Sequence, residues 1–213
     1  MSLRDRRVQY ETAGLDVDDL DADPIVQWHA WYDQAASAGV AEPNAMTVST
    51  IGQDGAPDSR VVLARAVDAR GFVFYTNFDS AKSKQLLLSP TASAVFAWLD
   101  LHRQVRVRGT VQRIADKESD DYFASRPRES QIGAWASPQS QVIADRSVIE
   151  TRIAEFRSKF DGQHVPRPPY WGGWCLTPHT IEYWQGRPSR LHDRLVYVLD
   201  KNSARWQMQR LAP

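Results

Sequence analysis

From residue 45 to residue 114 short strand-like runs follow one another, the first and last with apolar side chains at alternate positions, and most runs close on a turn signal. Period-two runs of this length bury one face of a strand, not one stripe of a helix. Residues 46–51 alternate, and Gln53-Asp54-Gly55 supplies a hairpin turn. Residues 59–67 form the next expected strand, which turns through residues 68–71 into a third at 72–77. A short helix opens at Ser80, carries Lys82, Lys84, Leu86 and Leu87, and stops before Pro90. Strands follow at 92–99 and 103–114; in the second, Gln104, Arg106 and Arg108 face one way and Val105, Val107 and Gly109 the other. The chain ends on strands expected at 174–177, 180–184, 190–199 and 205–210. Short consecutive strands joined by tight turns build an antiparallel sheet rather than βαβ units, and closure into a barrel protects its edges. The expectation is a mainly β fold, a small antiparallel barrel with helices packed outside it.

The helical period appears before and between these runs. Asp23-Pro24 places an N-cap and a first-turn proline ahead of Trp28, Trp31, Tyr32 and Ala35, and Gly39 closes the element. An aromatic stripe at that spacing reads as core. Asp116 is expected to cap a helix through Tyr122 and Phe123 that Arg126-Pro127 ends. A second short helix covers 132–135, and a third after Asp145 carries Ile149, Ile153, Phe156 and Phe160. Residues 166–169 read as a rigid, extended linker. Residues 1–22, rich in Arg and Asp, read as a mobile arm that orders against a ligand or a partner chain; residues 23–213 read as a single domain.

Composition removes several function classes. Lys and Arg number 26 and so do Asp and Glu, so the basic excess of a nucleic-acid binder is missing. The single cysteine, Cys175, allows neither an internal disulfide nor a multi-cysteine metal site, and it fits a reducing, cytoplasmic location. No secretory signal opens the sequence, and no apolar run approaches the ~18–20 residues of a membrane span. His29, His102, His164, His179 and His192 are scattered without the spacing of zinc ligands, so no metal is expected. A P-loop, a GxGxxG turn and a Gly-x-Ser-x-Gly elbow are all absent.

What remains points to anions. Between Trp184 and Arg194 the chain packs an aromatic, a Gln-Gly turn, three arginines, a histidine and an aspartate. On an extended strand Arg190, His192 and Arg194 would share one face, where they repel one another unless something anionic or electron-rich lies against them. Arg60, Arg65, Lys82 and the segment Ser125-Arg126-Pro127-Arg128-Glu129-Ser130 add further phosphate-type donors. Arg60 and Arg65 are an odd number of residues apart. A regular strand would therefore turn them to opposite faces, toward two anions or toward one pocket and one surface.

Taken together, these motifs resemble the pyridoxine/pyridoxamine 5′-phosphate oxidase family over residues 7–213. The resemblance rests on Arg60-Val61-Val62-Leu63, Phe74-Tyr75-Thr76-Asn77, the run from Ser125 through Gln131-Ile132-Gly133-Ala134-Trp135, Glu182-Tyr183-Trp184-Gln185-Gly186, Arg190-Leu191-His192-Asp193-Arg194, and the terminal Arg210-Leu211-Ala212-Pro213. It implies an FMN-binding split barrel of Greek-key type, working as a homodimer with FMN between the subunits. By that resemblance FMN would contact Arg60, Val61, Val62, Leu63, Arg65, Tyr75, Thr76, Lys82, Gln104, Gln139, Ser140, Trp184 and Arg194. The substrate phosphate would lie on Arg65, Tyr122, Arg126 and Ser130. Arg190 and His192 would sit against the substrate ring as the catalytic pair, and Arg7 with Tyr10 would close over it.

The implied reaction is FMN-dependent oxidation of pyridoxamine or pyridoxine 5′-phosphate to pyridoxal 5′-phosphate, with O2 as acceptor and H2O2 as product. The alternatives are an oxidase of another ring, such as a phenazine precursor, and a non-catalytic flavin- or pyridoxal-phosphate-binding module. The chain departs from the family pattern at two positions, with Arg65 in place of Lys and Ala81 in place of Arg. The second removes a cofactor-phosphate donor, for which Lys82, Ser83 or Lys84 is expected to compensate.

Overall fold

The computed structural model describes residue 10 and residues 12–213; the role expected of Arg7 falls outside them. Nine strands form one sheet of antiparallel pairs in the order β2-β1-β5-β6-β7-β4-β3, with β8 added to β7 and β9 to β8. The strands are β1 (Ala45–Ile51), β2 (Pro57–Leu63), β3 (Ala66–Asp68), β4 (Gly71–Asn77), β5 (Thr91–Trp98), β6 (Arg103–Arg113), β7 (Trp171–Gln185), β8 (Asp193–Asp200) and β9 (Arg205–Leu211). The helices are α1 (Pro24–Ser37), α2 (Ala81–Leu88), α3 (Asp116–Ser125), α4 (Arg128–Ala136) and α5 (Ser147–Lys159). No helix among the described residues is long and apolar enough to cross a membrane.

Strand β7 organises the sheet. Along one edge it pairs with β6 over nearly its whole length. Along the other, β4 takes residues 171–176 and β8 takes residues 180–185, and the barrel opens between them. The sequence suggested two strands here, at 174–177 and 180–184; between them lies Pro178, which cannot donate to a ladder. The structure makes them one 15-residue strand. The proline sits where the register slips between Arg108 and Gly109, so no ladder bond is asked of it. Gly109 makes the slip possible, since a Cβ there would lie 2.0 Å from the Thr177 carbonyl oxygen.

Two further strand expectations are corrected. The run 59–67 breaks at Ala64-Arg65, where the chain changes neighbours from β1 to β4: Ala64 N–H donates to Asn44 O at 2.9 Å and Arg65 N–H to Val73 O at 2.8 Å. The face-parity argument for Arg60 and Arg65 fails with that break. The run 190–199 begins only at Asp193. Pro188–Arg190 is a single 3₁₀ turn, and Ser189 (φ 57°) and Arg190 (φ 63°) lie in the left-handed region, so Arg190 and His192 do not alternate on a strand.

Helix α1 packs against the barrel as its aromatic stripe requires. Asp23 accepts from Ile25 N–H at 2.7 Å as the N-cap, and Trp28, Trp31 and Ala35 are buried among Phe72, Phe96, Trp98 and Tyr183. Each such aromatic contributes about 1.5–3 kcal/mol of transfer free energy. The Tyr183 hydroxyl is satisfied inside the core by Pro24 O at 2.6 Å. A smaller cluster joins α3, α4 and α5 to the start of β7 through Phe123, Ile132, Phe160 and Trp171. Helix α3 starts at Asp116 but Ala115 occupies the cap position without a side-chain bond, one residue earlier than expected. Of the expected arm, residues 12–22 lie on the barrel: Leu15 is buried, and Tyr197 donates its hydroxyl hydrogen to Asp21 O at 2.5 Å.

Candidate active site

A cavity of about 880 Å³ opens where β2, the β2–β3 break, β4, α2 and the α3–α4 corner meet. Its size is in the upper part of the roughly 300–1,000 Å³ range of small-molecule sites. The edge strand β2 presents Arg60, Val61, Val62 and Leu63, and the break brings Arg65 to the same cavity as Arg60. The two arginines therefore face one pocket rather than opposite sides of a strand.

One end of the cavity is cationic and well braced. Arg60 pairs with Asp58 and donates to the Thr50 hydroxyl at 2.5 Å and to Gln85 Oε1 at 3.1 Å. Lys82 extends from the first turn of α2 and donates from Nζ to Thr76 Oγ1 and Gln139 Oε1, both at 3.1 Å. Burial, helped by the charge of Arg60, lowers the Lys82 ammonium to about 8. Of the three residues that could compensate for Ala81, only Lys82 lines the cavity. Ser83 is buried and spent on Asn77 O (3.0 Å) and the Trp174 indole (3.1 Å), while Lys84 is exposed.

The other end combines aromatic rings with a second cation. Tyr75, Tyr122 and Trp171 stack nearly parallel, with Tyr75 and Tyr122 centroids 3.9 Å apart. Burial pushes the Tyr75 phenol up to about 12, so it stays protonated. The Arg126 guanidinium carbon lies 4.7 Å from the Trp171 ring centroid, and its Nη1 is buried with no hydrogen-bond partner among the described residues. Burial lowers the Arg126 pKa, and the nearby Arg65 charge lowers it further. A buried, unpaired cationic donor costs free energy until an anion meets it. Ser130 also lines this end. Two members of the same motif serve the scaffold instead: Arg128 holds Gln163 O (2.9 Å) and Phe160 O (2.5 Å), and Glu129 pairs with Arg157 at 2.5 Å.

A second group of expected site residues lies elsewhere. Gln104, Trp184 and Arg194 stand opposite one another across β6, β7 and β8, a row drawn from three separate parts of the sequence. Arg194 is held by the buried Glu182 (Nε–Oε1 2.8 Å), which also pairs with Arg106 at 3.0 Å. Beyond the row, the His192 ring is 4.6 Å from Trp184 and 5.7 Å from Tyr10, and Tyr10 packs on His102 at 4.2 Å. His192 Nδ1 accepts the Arg187 N–H at 3.1 Å, which leaves the hydrogen of a neutral ring on Nε2. Burial and the Arg190 charge lower the His192 pKa and favour that neutral form. Arg190 is exposed, and Ser140 is exposed at φ 68° outside the cavity lining.

The two groups occupy opposite ends of β7. Gly173, opposite Tyr75, and Trp184 are eleven residues apart on that strand, on the order of 35 Å of extended chain. Within one chain, Arg190 and His192 are therefore remote from Arg126. The sequence reading missed Trp171 as a cavity residue. Trp171 had a signal, an aromatic two residues after the proline-rich linker, but the strand expected from 174 starts at 171.

Comparison with known proteins shows the family of the chain. The family model described as pyridoxamine 5′-phosphate oxidase matches residues 32–160, and that of the pyridoxine 5′-phosphate oxidase C-terminal dimerisation region matches residues 171–213. The chain belongs to the pyridoxine/pyridoxamine 5′-phosphate oxidase family. Members from Synechocystis sp. and Burkholderia thailandensis are 52% and 50% identical to it, and each alignment covers 100% of this chain and 99% of the relative. The crystal structure of PhzG from Burkholderia lata 383, in complex with tetrahydrophenazine-1-carboxylic acid, matches with a TM-score of 0.88 at 30% identity over 97% of this chain and 100% of that one. An FMN-binding relative from Nostoc punctiforme shares the fold alone, at 15% identity and a TM-score of 0.70. The chain is thus an oxidoreductase of the pyridoxine/pyridoxamine 5′-phosphate oxidase family on a split barrel.

Proposed function

We propose that this chain oxidises pyridoxamine 5′-phosphate and pyridoxine 5′-phosphate to pyridoxal 5′-phosphate, using FMN and O2 and releasing H2O2. The observation that carries the reading is a single cavity with two separate cationic ends, Arg60 with Lys82 and Arg65 with Arg126. A cofactor and a substrate that each bear one phosphate would use both ends. The residues fit FMN: Lys82 and Arg60 supply charge at the α2 end, and Thr76 and Gln139 hold Lys82 in place. When bound, FMN supplies the redox chemistry, accepting two electrons from the substrate and passing them to O2.

The protein's part is position and charge. Arg126, with its unpartnered Nη1, and the Tyr122 and Ser130 hydroxyls would hold the substrate phosphate, and so fix the ring relative to the cofactor. Arg190 and His192 would approach that ring from the partner subunit, because their own chain places them at the far end of β7. A homodimer completing each cavity in this way agrees with the dimerisation-region match over residues 171–213. There Arg190 would stabilise developing negative charge, and His192, with Nδ1 engaged, would donate a hydrogen bond from Nε2.

The similarity to PhzG raises a second reading, an oxidase of a phosphate-free ring. The Arg126 end favours the phosphorylated vitamers: Arg126 with the nearby Arg65 charge and the Tyr122 and Ser130 hydroxyls suits a phosphate with two charges and several acceptor oxygens better than a single ring carboxylate. The test is direct: purify the protein, record the flavin spectrum, add pyridoxamine 5′-phosphate in air, and follow pyridoxal 5′-phosphate and peroxide. Yellow protein and equimolar products are expected. Yellow protein without turnover on either vitamer would overturn the proposal.

A further inference from the structure

Asp193 opens β8 directly after the turn that bears Arg190 and His192, and its carboxylate is four-fifths buried. Oδ2 accepts the backbone N–H of Leu15 at 3.0 Å and lies 3.5 Å from Arg187 Nε; Oδ1 accepts from Arg210 Nη1 at 2.9 Å. Both arginines reach onward to the N-terminal segment. Arg187 Nη1 donates to Thr12 O at 2.9 Å, and Arg210 Nη2 donates to Leu15 O at 3.1 Å and to Asp16 Oδ1 at 2.9 Å. The Thr12 hydroxyl closes the circuit by donating to Gly186 O.

One carboxylate thus joins two pieces of backbone, 12–16 and 186–193. The turn holds its own histidine through the Arg187 N–H on His192 Nδ1, and Tyr10, two residues before Thr12, packs its ring against both His102 and His192. Glycine keeps the seam close on both sides. A Cβ on Gly14 would approach Arg187 Nη1 to 3.2 Å, and one on Gly186 would meet Tyr10 Cδ2 at 2.7 Å and His102 Cβ at 3.0 Å.

We infer that Asp193 is a positioning residue: it latches the N-terminal segment onto the catalytic turn, so that seating Tyr10 and orienting His192 are a single event. The latch acts through Tyr10 and His192 and touches no reacting atom. Its effect on substrate rests on the oxidase reading, whereas the latch itself is measurable without turnover.

The test is Asp193→Asn in the FMN-loaded protein. Asn keeps an oxygen for the Leu15 N–H but loses the charge that gathers Arg187 and Arg210. Hydrogen exchange read by mass spectrometry should accelerate together, at least about tenfold, in peptides covering 12–20 and 186–192, with FMN content unchanged. Acceleration in one peptide only, or in neither, overturns the latch whether or not the enzyme turns over. In steady state the variant should raise KM for pyridoxamine 5′-phosphate about tenfold, and the same change made in a Tyr10→Ala background should add less than about twofold. Full additivity of the two substitutions would mean that Asp193 merely supports the fold, and would refute the positioning role. If the parent protein shows no turnover, the oxidase reading fails and the exchange experiment still decides the latch.

Discussion

Lys82 Nζ donates to Gln139 Oε1 over 3.1 Å, joining the first turn of α2 to a residue 57 positions away. The bond holds a half-buried ammonium in the cavity with neutral partners only, Gln139 and Thr76.

That setting predicts a pH dependence. Lys82 titrates at about 8 in the fold, against 10.5 as a free side chain. Its attraction for a phosphate is complete below pH 8 and lost above it, so FMN affinity should decline above that pH, approaching about tenfold per pH unit. For the ligand-free protein the sign reverses: between pH 8 and 10.5 the unfolded chain holds the extra proton, so this lysine's contribution to stability rises with pH. Fluorescence titration with FMN from pH 7 to 10 checks the first effect, and Lys82→Arg should flatten the curve.

Arg126→Ala should weaken substrate, not cofactor. A charge-assisted hydrogen bond is worth roughly 1.5–3 kcal/mol, so KM for either vitamer should rise about ten- to a hundredfold. The flavin spectrum should persist. An unchanged KM would remove Arg126 from the phosphate site.

Arg190→Ala removes an exposed guanidinium at the end of the 3₁₀ turn. Turnover should fall about a hundredfold, in the range for loss of one electrostatic donor, with the protein still yellow. Colourless protein would assign Arg190 to the cofactor instead.

Gly186→Ala places a methyl 2.7 Å from Tyr10 Cδ2. The ring must leave its seat on His102, so KM should rise several-fold while FMN content stays constant. A crystal structure of the variant with Tyr10 in place would contradict the steric argument.

Much of this fold was legible in the residues. Alternation in β1, β5 and β6, the Asp23-Pro24 cap, the Ser80 N-cap of α2 and the aromatic stripe of α1 are local signals, and the structure obeys them. The misreadings share one cause. At Ala64-Arg65 a strand changes neighbours, at Pro178 a strand runs through a bulge, and at Ser189-Arg190 the backbone goes left-handed. Each is set by what lies across the sheet, which periodicity along the chain does not encode.

The site divides in the same way. Residue types and motifs alone marked the candidate anion-binding side chains, as guanidinium and ammonium groups beside hydroxyls and rings. Only the tertiary structure decided which of them meet. It brought Arg60 and Arg65 into one cavity, aligned Gln104, Trp184 and Arg194 across three strands, and set Arg190 and His192 at the opposite end of β7 from Arg126. It also assigned Asp193 to the seam between the chain's two ends. Chemistry belongs to the residue and travels with its letter. Proximity belongs to the folded chain, which joins positions as far apart as 15 and 193 and leaves no mark on either stretch alone.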